Sequence, residues 1–332
     1  MVSLRDVARA AGVSPATASR ALARPDRVSA DRRTRVERAA ADLGYQPGRG
    51  TAARSRQGGH SRGAVGLVVP DMQSPFFAGI AKGIQRRARA AGLSVVVADA
   101  EEDPRLEAEI LEHMAPQVIG IVLCSARMSD QALAALPADP EIVLVNRESE
   151  HLRSVIIDNE DGIRQAVAHL HALGHRRIAY AGGQWGSWSD RERRRGLEAA
   201  AHALPELEIV QLGHFPTVFS GGVAAADLVA ASGATAVIGH NDLIALGILD
   251  RLRQRGTAVP QQLSVVGFDD IPGATHVSPA LTTVSVPLRL LGRAAVDLLI
   301  DPDRPAQDDA AERATVMPVS LVVRDSTGPA PH

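Results

Sequence analysis

Apolar positions near the start of the chain recur at helical spacing. Leu4, Val7, Ala8 and Ala11 share one face of a short helix, and Gly12 breaks the pattern. Ser14 is placed to cap a second helix, with Pro15 at its first position, where a missing N–H costs nothing. That helix runs over 16–22. Arg24-Pro25-Asp26 reads as a loop, and Ser29 as the cap of a third helix over 30–43. Val36, Ala39, Ala40 and Leu43 line one face of it and would close a three-helix core with Leu4, Val7 and Leu22. Two short helices joined by a glycine turn make a helix-turn-helix.

Beyond residue 64 the period changes. Short apolar runs, expected as strands, fall at 65–69, 94–98, 118–123, 142–145, 154–157, 177–181, 207–212, 236–239, 263–268 and 319–323. Amphipathic stretches between them predict helices at 76–91, 104–114, 129–136, 161–173, 191–203, 221–231, 242–254 and 288–300. Strands alternating with helices imply parallel sheets covered on both faces. So many strands exceed one compact sheet of this repeat, so two doubly wound sub-domains are expected. Ligands in such sheets bind beyond the strands' carboxyl ends, which places a site in the cleft between the two. The chain therefore divides into a helical segment at 1–47, a Gly- and Arg-rich hinge or linker at 48–63 and an α/β core at 64–325. A loose tail is expected at 326–332, and residues 302–313 read as a charged surface loop.

Composition narrows the partners. The 332 residues are 45% hydrophobic, but aromatics make up only 3%, so Val, Leu, Ile and Ala must supply the core. No apolar run approaches the roughly 18 residues of a membrane span, and the N-terminus lacks a signal peptide's apolar core. A cytoplasmic chain with no membrane partner is expected. The single cysteine, Cys124, excludes an internal disulfide and a multi-cysteine metal site, and its strand-like setting reads as a buried, inert thiol. The net charge of −2 conceals an asymmetry: residues 1–62 hold 13 arginines, no lysine and five acids, and the remainder is acidic. A basic segment ahead of an acidic body suits a headpiece that neutralises DNA phosphates.

The individual residues sharpen this. Leu4, Asp6, Val7, Ala8, Ala11, Gly12, Val13, Ser14, Thr17, Ser19 and Arg20 resemble the opening signature of the lactose-repressor (LacI/GalR) family of bacterial transcription regulators, with Ala18 where valine is usual. Val28, Ser29, Thr34, Arg35, Val36, Ala39, Leu43, Gly44, Tyr45 and Pro47 continue the likeness. It implies an N-terminal all-α helix-turn-helix headpiece and an α/β periplasmic-binding-protein-like core of two doubly wound parallel-sheet sub-domains. The second helix would lie in the major groove. The resemblance places Ser14, Pro15, Ala16, Thr17, Ser19, Arg20, Ser29, Tyr45, Arg49 and Arg54 at the DNA. Arg20 suits guanine O6/N7, Pro15 and Ala16 a thymine methyl, and Thr17 and Ser19 phosphates. The linker departs from the family: Gly48 replaces an asparagine, and Arg54 stands where a leucine wedge for the minor groove is usual. Its arginines suit minor-groove or phosphate contacts, and a flexible tether fits the same composition.

For the core, the resemblance implies effector contacts from Phe76, Asn146, Arg147, Trp188, Arg193, Phe215, Asn241 and Asp269. Arg193 can hold hydroxyls or a carboxylate in a fixed fork. Asn241 would touch the ligand while Asp242 caps the following helix, and Asp269 would accept ligand hydroxyls. Trp185 and Trp188, in the loop ahead of Arg193, suit stacking on a sugar ring. Val286 stands where a polar glutamine is usual. A bidentate donor, an amide and a carboxylate between apolar faces favour a sugar or sugar derivative. A purine-like co-repressor suits the same groups. The function expected is an effector-controlled regulator, a repressor, acting as a homodimer on a near-palindromic operator, with a tetramer left open. No cofactor, metal or catalytic residue is expected, since no G-x-S-x-G elbow, P-loop, H-E-x-x-H or strand-linked G-x-G-x-x-G occurs. An enzyme or a cytoplasmic sugar-binding protein on the same fold is the alternative class. The basic headpiece argues against it.

Overall fold

A computed structural model describes residues 4–14, 17–18, 21, 29–43, 63–300 and 314–331. The chain forms two compact units, 1–61 and 62–332. In the first, α1 (Leu4–Ala10) ends at Gly12, whose φ of +63° a side chain would strain. Val13 N–H then reaches Ala8 O at 3.0 Å and Gly12 N–H reaches Arg9 O at 3.3 Å, closing the helix end. Ser14 Oγ accepts from Thr17 N at 3.1 Å, the cap expected of it. Helix α2 (Ala30–Asp42) starts at Ser29, which holds the cap position without a side-chain hydrogen bond. The core is alanine-rich: Val7, Ala8, Ala11, Ala18, Ala21, Val36, Ala39 and Ala40 are buried. Leu43 is not part of it. It stands one residue past the helix and is 37% exposed. The side chains of Leu4 and Leu22 lie outside the described residues.

The second unit opens with β1 (Ala64–Val69), α3 (Pro75–Ala90), β2 (Ser94–Asp99), α4 (Pro104–Met114), β3 (Gly120–Cys124), α5 (Asp130–Ala134), β4 (Glu141–Val145) and β5 (Arg153–Ile157). It repeats the plan with α6 (Asn159–Ala172), β6 (Arg177–Gly182), α7 (Trp188–Ala203), β7 (Glu208–His214), α8 (Phe219–Ala231), β8 (Ala236–Gly239), α9 (Asp242–Gln254), β9 (Ser264–Asp269) and β10 (Thr282–Ser285). Then come α10 (Leu288–Ile300), β11 (Ala314–Met317) and β12 (Ser320–Val322). Among the described residues the strands form two six-stranded sheets, ordered β11-β5-β4-β3-β1-β2 and β12-β10-β9-β8-β6-β7. Inner strands such as β3 and β8 are buried on both faces, which is why they read as unbroken apolar runs. Edge strand β2 is only partly covered.

Every pairing is parallel except β10 with β12, which is antiparallel. Two strands escape the periodicity: β10, written in Thr and Ser, and the four-residue β11. β10 pairs with β9 before it and with β12 near the end of the chain, and β11 pairs with the distant β5. The chain crosses between the sheets three times, at 158, at 286–287 and at 318–319. Two crossings are tied together by Asp158 N–H on Met317 O, at 3.1 Å. Helix α10 returns to the first sheet and packs on α3 through reciprocal glycines: a Cβ on Gly83 would lie 2.2 Å from Arg289 O, and one on Gly292 2.2 Å from Ile80 O.

The tail is docked rather than loose. Ser326 is fully buried, donates to Val265 O at 2.6 Å and accepts from Thr282 N at 2.8 Å. Gly328 N–H reaches Ser264 Oγ, and Ala330 N–H reaches Leu173 O at 2.8 Å. Its proline and glycine content reflects an extended strap over the second sheet, attached through backbone groups and the short polar side chains of Ser326 and Thr327. The linker at 48–62 and the charged stretch at 302–313 lie outside the described residues.

Candidate ligand cleft

The carboxyl ends of both sets of strands converge on a cleft of about 460 Å3, its open mouth included. Its first wall comes from loops of the first sheet: Asp71, Ser74, Phe76 and Phe77 after β1, Glu102 after β2, Ser125 and Arg127 after β3, and Asn146 after β4. The second wall comes from Ser187, Ser189 and Arg193 at the start of α7, Thr217 after β7, His240 and Asn241 after β8, and Asp269 closing β9. Helix N-termini therefore ring the cleft, as doubly wound sheets require.

Backbone strain marks the same loops. Among the described residues, non-glycine residues with positive φ are Glu101, Glu102, Ser125, Asn146, Asp269 and Asp270, and four of these line the cleft. Such conformations cost about 1–3 kcal/mol each and persist where the surroundings over-determine them. Asn146, at φ +56°, donates to Ser125 Oγ at 3.0 Å, while its buried Oδ1 has no hydrogen-bond partner. That oxygen is an acceptor held ready for a ligand donor.

The second wall is built around a buried guanidinium. Arg193 is 2% exposed, lies 3.6 Å above the Phe268 ring, and donates to Asn159 Oδ1 at 2.9 Å and to His240 O. Its remaining nitrogen sits 3.8 Å from Asp269 Oδ1. Burial pushes the Asp269 carboxyl well above its ordinary range, although Arg193 opposes this. Burial also holds His240 near 4, with Arg193 adding to the effect, so its imidazole is neutral at physiological pH. Behind it lies Asp190. Burial works against its charge, but hydrogen bonds from His240, Arg194 and Gly183 N–H hold the carboxyl below the usual range. Tyr180 Oη donates to the same carboxylate at 2.9 Å. This wall presents a fixed cation, a carboxyl and a neutral imidazole to the cleft.

The cleft brings together Phe76, Asn146, Arg193, Asn241 and Asp269 from the sequence expectation. Three others lie elsewhere. Arg147 is buried under the first wall, donating to Ala126 O, Met128 O and Asp130. Trp188 faces a separate chamber, and Phe215 packs on the apolar core beneath the second sheet. Asn241 takes the capping role expected of Asp242 and still lines the cleft. Asn241 Oδ1 caps α9 through Ile244 N, while Asp242, fully buried, takes Thr283 Oγ1 at 2.5 Å and Ile271 N at 2.8 Å. Burial raises Asp242 to about 7. Glu102, Ser125, Arg127, Ser187, Ser189 and Thr217 were missed, yet each follows a strand's carboxyl end and that rule alone would have found them. In the headpiece Ser14 and Ser29 are exposed and Thr17 half-buried. Pro15, Ala16, Ser19, Arg20, Tyr45, Arg49 and Arg54 lie outside the described residues.

These features agree with known proteins. The description "Bacterial regulatory proteins, lacI family" matches residues 3–48, and "Periplasmic binding protein-like domain" matches 167–327. The transcriptional regulator GalS of Salmonella typhimurium is 33% identical over 310 residues, covering 90% of this chain and 89% of GalS. The chain belongs to the LacI family. Its relatives are DNA-binding transcriptional regulators, not enzymes. The lac repressor dimer bound to operator and the anti-inducer ONPF superposes with a TM-score of 0.70 at 29% identity, over 98% of this chain and 99% of that one. The CelR–cellobiose complex gives 0.67 at 30% identity, over 98% and 100%. LacI-family architecture thus accounts for both units. Among the described residues, no helix is long and apolar enough to cross a membrane.

Proposed function

We propose that this chain is a repressor whose operator affinity is set by a sugar or sugar derivative bound between the two sheets. The observation that carries this reading is the second wall: a buried Arg193 facing Asp269 across 3.8 Å, with the unpartnered Asn146 oxygen on the wall opposite. A fork of donors, a carboxyl and an amide oxygen around a polar cleft match a polyhydroxylated ring and leave an apolar ligand unrewarded. The structural neighbour CelR holds cellobiose, which supports the same class. In this reading the protein is a cytoplasmic homodimer on a near-palindromic operator, its recognition helix reading bases through Arg20. Ligand and DNA are coupled because each favours a different arrangement of the sub-domains across the three crossings. Gel shifts with the DNA upstream of the chain's own gene, with and without a panel of sugars and purines, test it. A sequence-specific shift that a sugar alters is expected. Alteration by purines alone would replace the sugar by a purine-like co-repressor, and no specific shift under any condition would overturn the regulator reading.

A further inference from the structure

His240 follows β8 and lines the cleft, and its hydrogen-bonding atoms are used unequally. Its carbonyl is taken by Arg193. Its Nδ1 turns back into the protein, 3.2 Å from Tyr180 Oη and 3.3 Å from Asp190 Oδ1. Both neighbours require that nitrogen to carry the proton. Asp190 is held ionised, and a carboxylate only accepts. The Tyr180 hydroxyl commits its hydrogen to Asp190 at 2.9 Å, so toward His240 it offers oxygen lone pairs alone. A neutral imidazole carries one N–H. With that proton on Nδ1, Nε2 is a bare acceptor, and it has no hydrogen-bond partner among the described residues. The ring plane is fixed as well. A Cβ on Gly183 would lie 2.7 Å from the His240 ring, and Gly183 N–H donates to Asp190 Oδ1 at 2.7 Å. A larger residue at 183 would push the ring off the carboxylate that orients it. Two cations, Arg193 on the same wall and Arg127 on the wall opposite, act with burial to keep the ring from taking a second proton.

Resting on the cleft reading above, we infer that His240 is a specificity-determining residue: its Nε2 accepts a hydrogen bond from one ligand hydroxyl, and Asp190 and Tyr180 are positioning residues that hold the acceptor tautomer. The site then rejects a ligand presenting an ether, carbonyl or halogen at that point, because two acceptors would face each other. Two measurements on the full chain test this. Nitrogen NMR of protein carrying isotope-labelled histidine, at neutral pH, reads the tautomer directly. The His240 signal is the one lost in His240→Phe, and His240→Leu repeats the assignment with a smaller side chain. A protonated Nδ1 and a bare Nε2 are expected. Asp190→Asn, whose amide can donate to Nδ1, should shift the proton toward Nε2. Titration calorimetry then selects the tightest-binding saccharide among ribose, glucose, galactose, maltose and cellobiose. It is compared with its singly deoxyfluoro analogues, each of which loses one hydroxyl donor. One analogue should bind the wild type about five- to tenfold more weakly than the parent sugar. In His240→Phe and His240→Leu that penalty should vanish while penalties at other positions persist. Thermal melts confirm that each variant folds. A protonated Nε2 in the wild type, or fluorine penalties that both His240 variants leave unchanged, would overturn the role of His240 while the sugar reading stands. An Asp190→Asn spectrum identical to the wild type would overturn the positioning role of Asp190. Binding of no saccharide overturns both readings.

Discussion

On the first wall of the cleft, polar groups are braced in local pairs. Arg127 meets Glu102, both only partly buried, and Asn146 leans on Ser125. On the second wall the charges are buried and interlocked: Arg193, Asp190, His240, Asp242 and Asp269 are all less than 9% exposed. The two sheets share a strand order, so topology does not explain the difference. The second wall carries its ionic groups on α7 and α9 and at the end of β9, rigid elements whose supporting partners are also buried. The first wall carries its groups on strained loops. One wall is rigidly supported from behind, and the other rests on strained loops.

Three tests, using four substitutions, probe this division. Arg193→Met should have the largest effect. It removes the cation on which Asn159, the His240 carbonyl and Asp269 converge, and effector affinity measured by calorimetry should fall about a hundredfold or more. Retained affinity would move recognition to the first wall. A pH-dependent effect comes next. His240 is depressed to about 4, so it contributes stability that is lost as pH falls from its unfolded value of 6.5 through 4. Asp242 is raised to about 7, so its contribution runs the other way and is lost as pH rises from 3.8 through 7. Between pH 4 and 6.5 these two slopes oppose each other, and the raised Asp269 carboxyl adds to the decline. Relative to the wild type, Asp242→Asn should shift the slope of stability against pH upward across that window and His240→Gln should shift it downward, each by at most about 1.4 kcal/mol per pH unit. Slopes unchanged from the wild type in both variants would show that neither group is held as buried. The smallest effect belongs to the first wall. Asn146→Gly relieves the left-handed backbone while deleting the free amide oxygen, so stability should hold or rise while effector affinity drops about five- to tenfold. A loss of stability with no loss of affinity would make Asn146 a structural residue alone.

Much of this was legible in the sequence, for reasons that differ by region. Helices α3, α4 and α9 and strands β3 and β8 could be read directly because their burial is complete on one or both faces. Strand β10 could not, because Thr282 and Thr283 are buried through hydrogen bonds to Thr327 and Asp242, not through apolarity. The tail misled for a related reason: its attachments run through Ser326 and backbone groups and leave no hydrophobic pattern. At the site, Arg193 and Asp269 were placed by likeness to the LacI family. Arg147 was placed in the cleft by the same likeness and Trp188 by its position in a strand-end loop, but the loop after β4 buries Arg147 against Asp130 and α7 turns Trp188 onto a separate chamber. Alternate residues of one segment serve two chambers, and only three dimensions separate them.

The most direct test couples the two units. Fluorescence anisotropy of a labelled operator fragment, titrated with the full chain in fixed salt, should show an affinity that changes about five- to 150-fold when the saccharide selected by calorimetry is added. The Arg193→Met protein should bind the same operator with unaltered effector-free affinity and show no response to the saccharide. A saccharide response that survives in Arg193→Met would contradict control of DNA binding through the second wall.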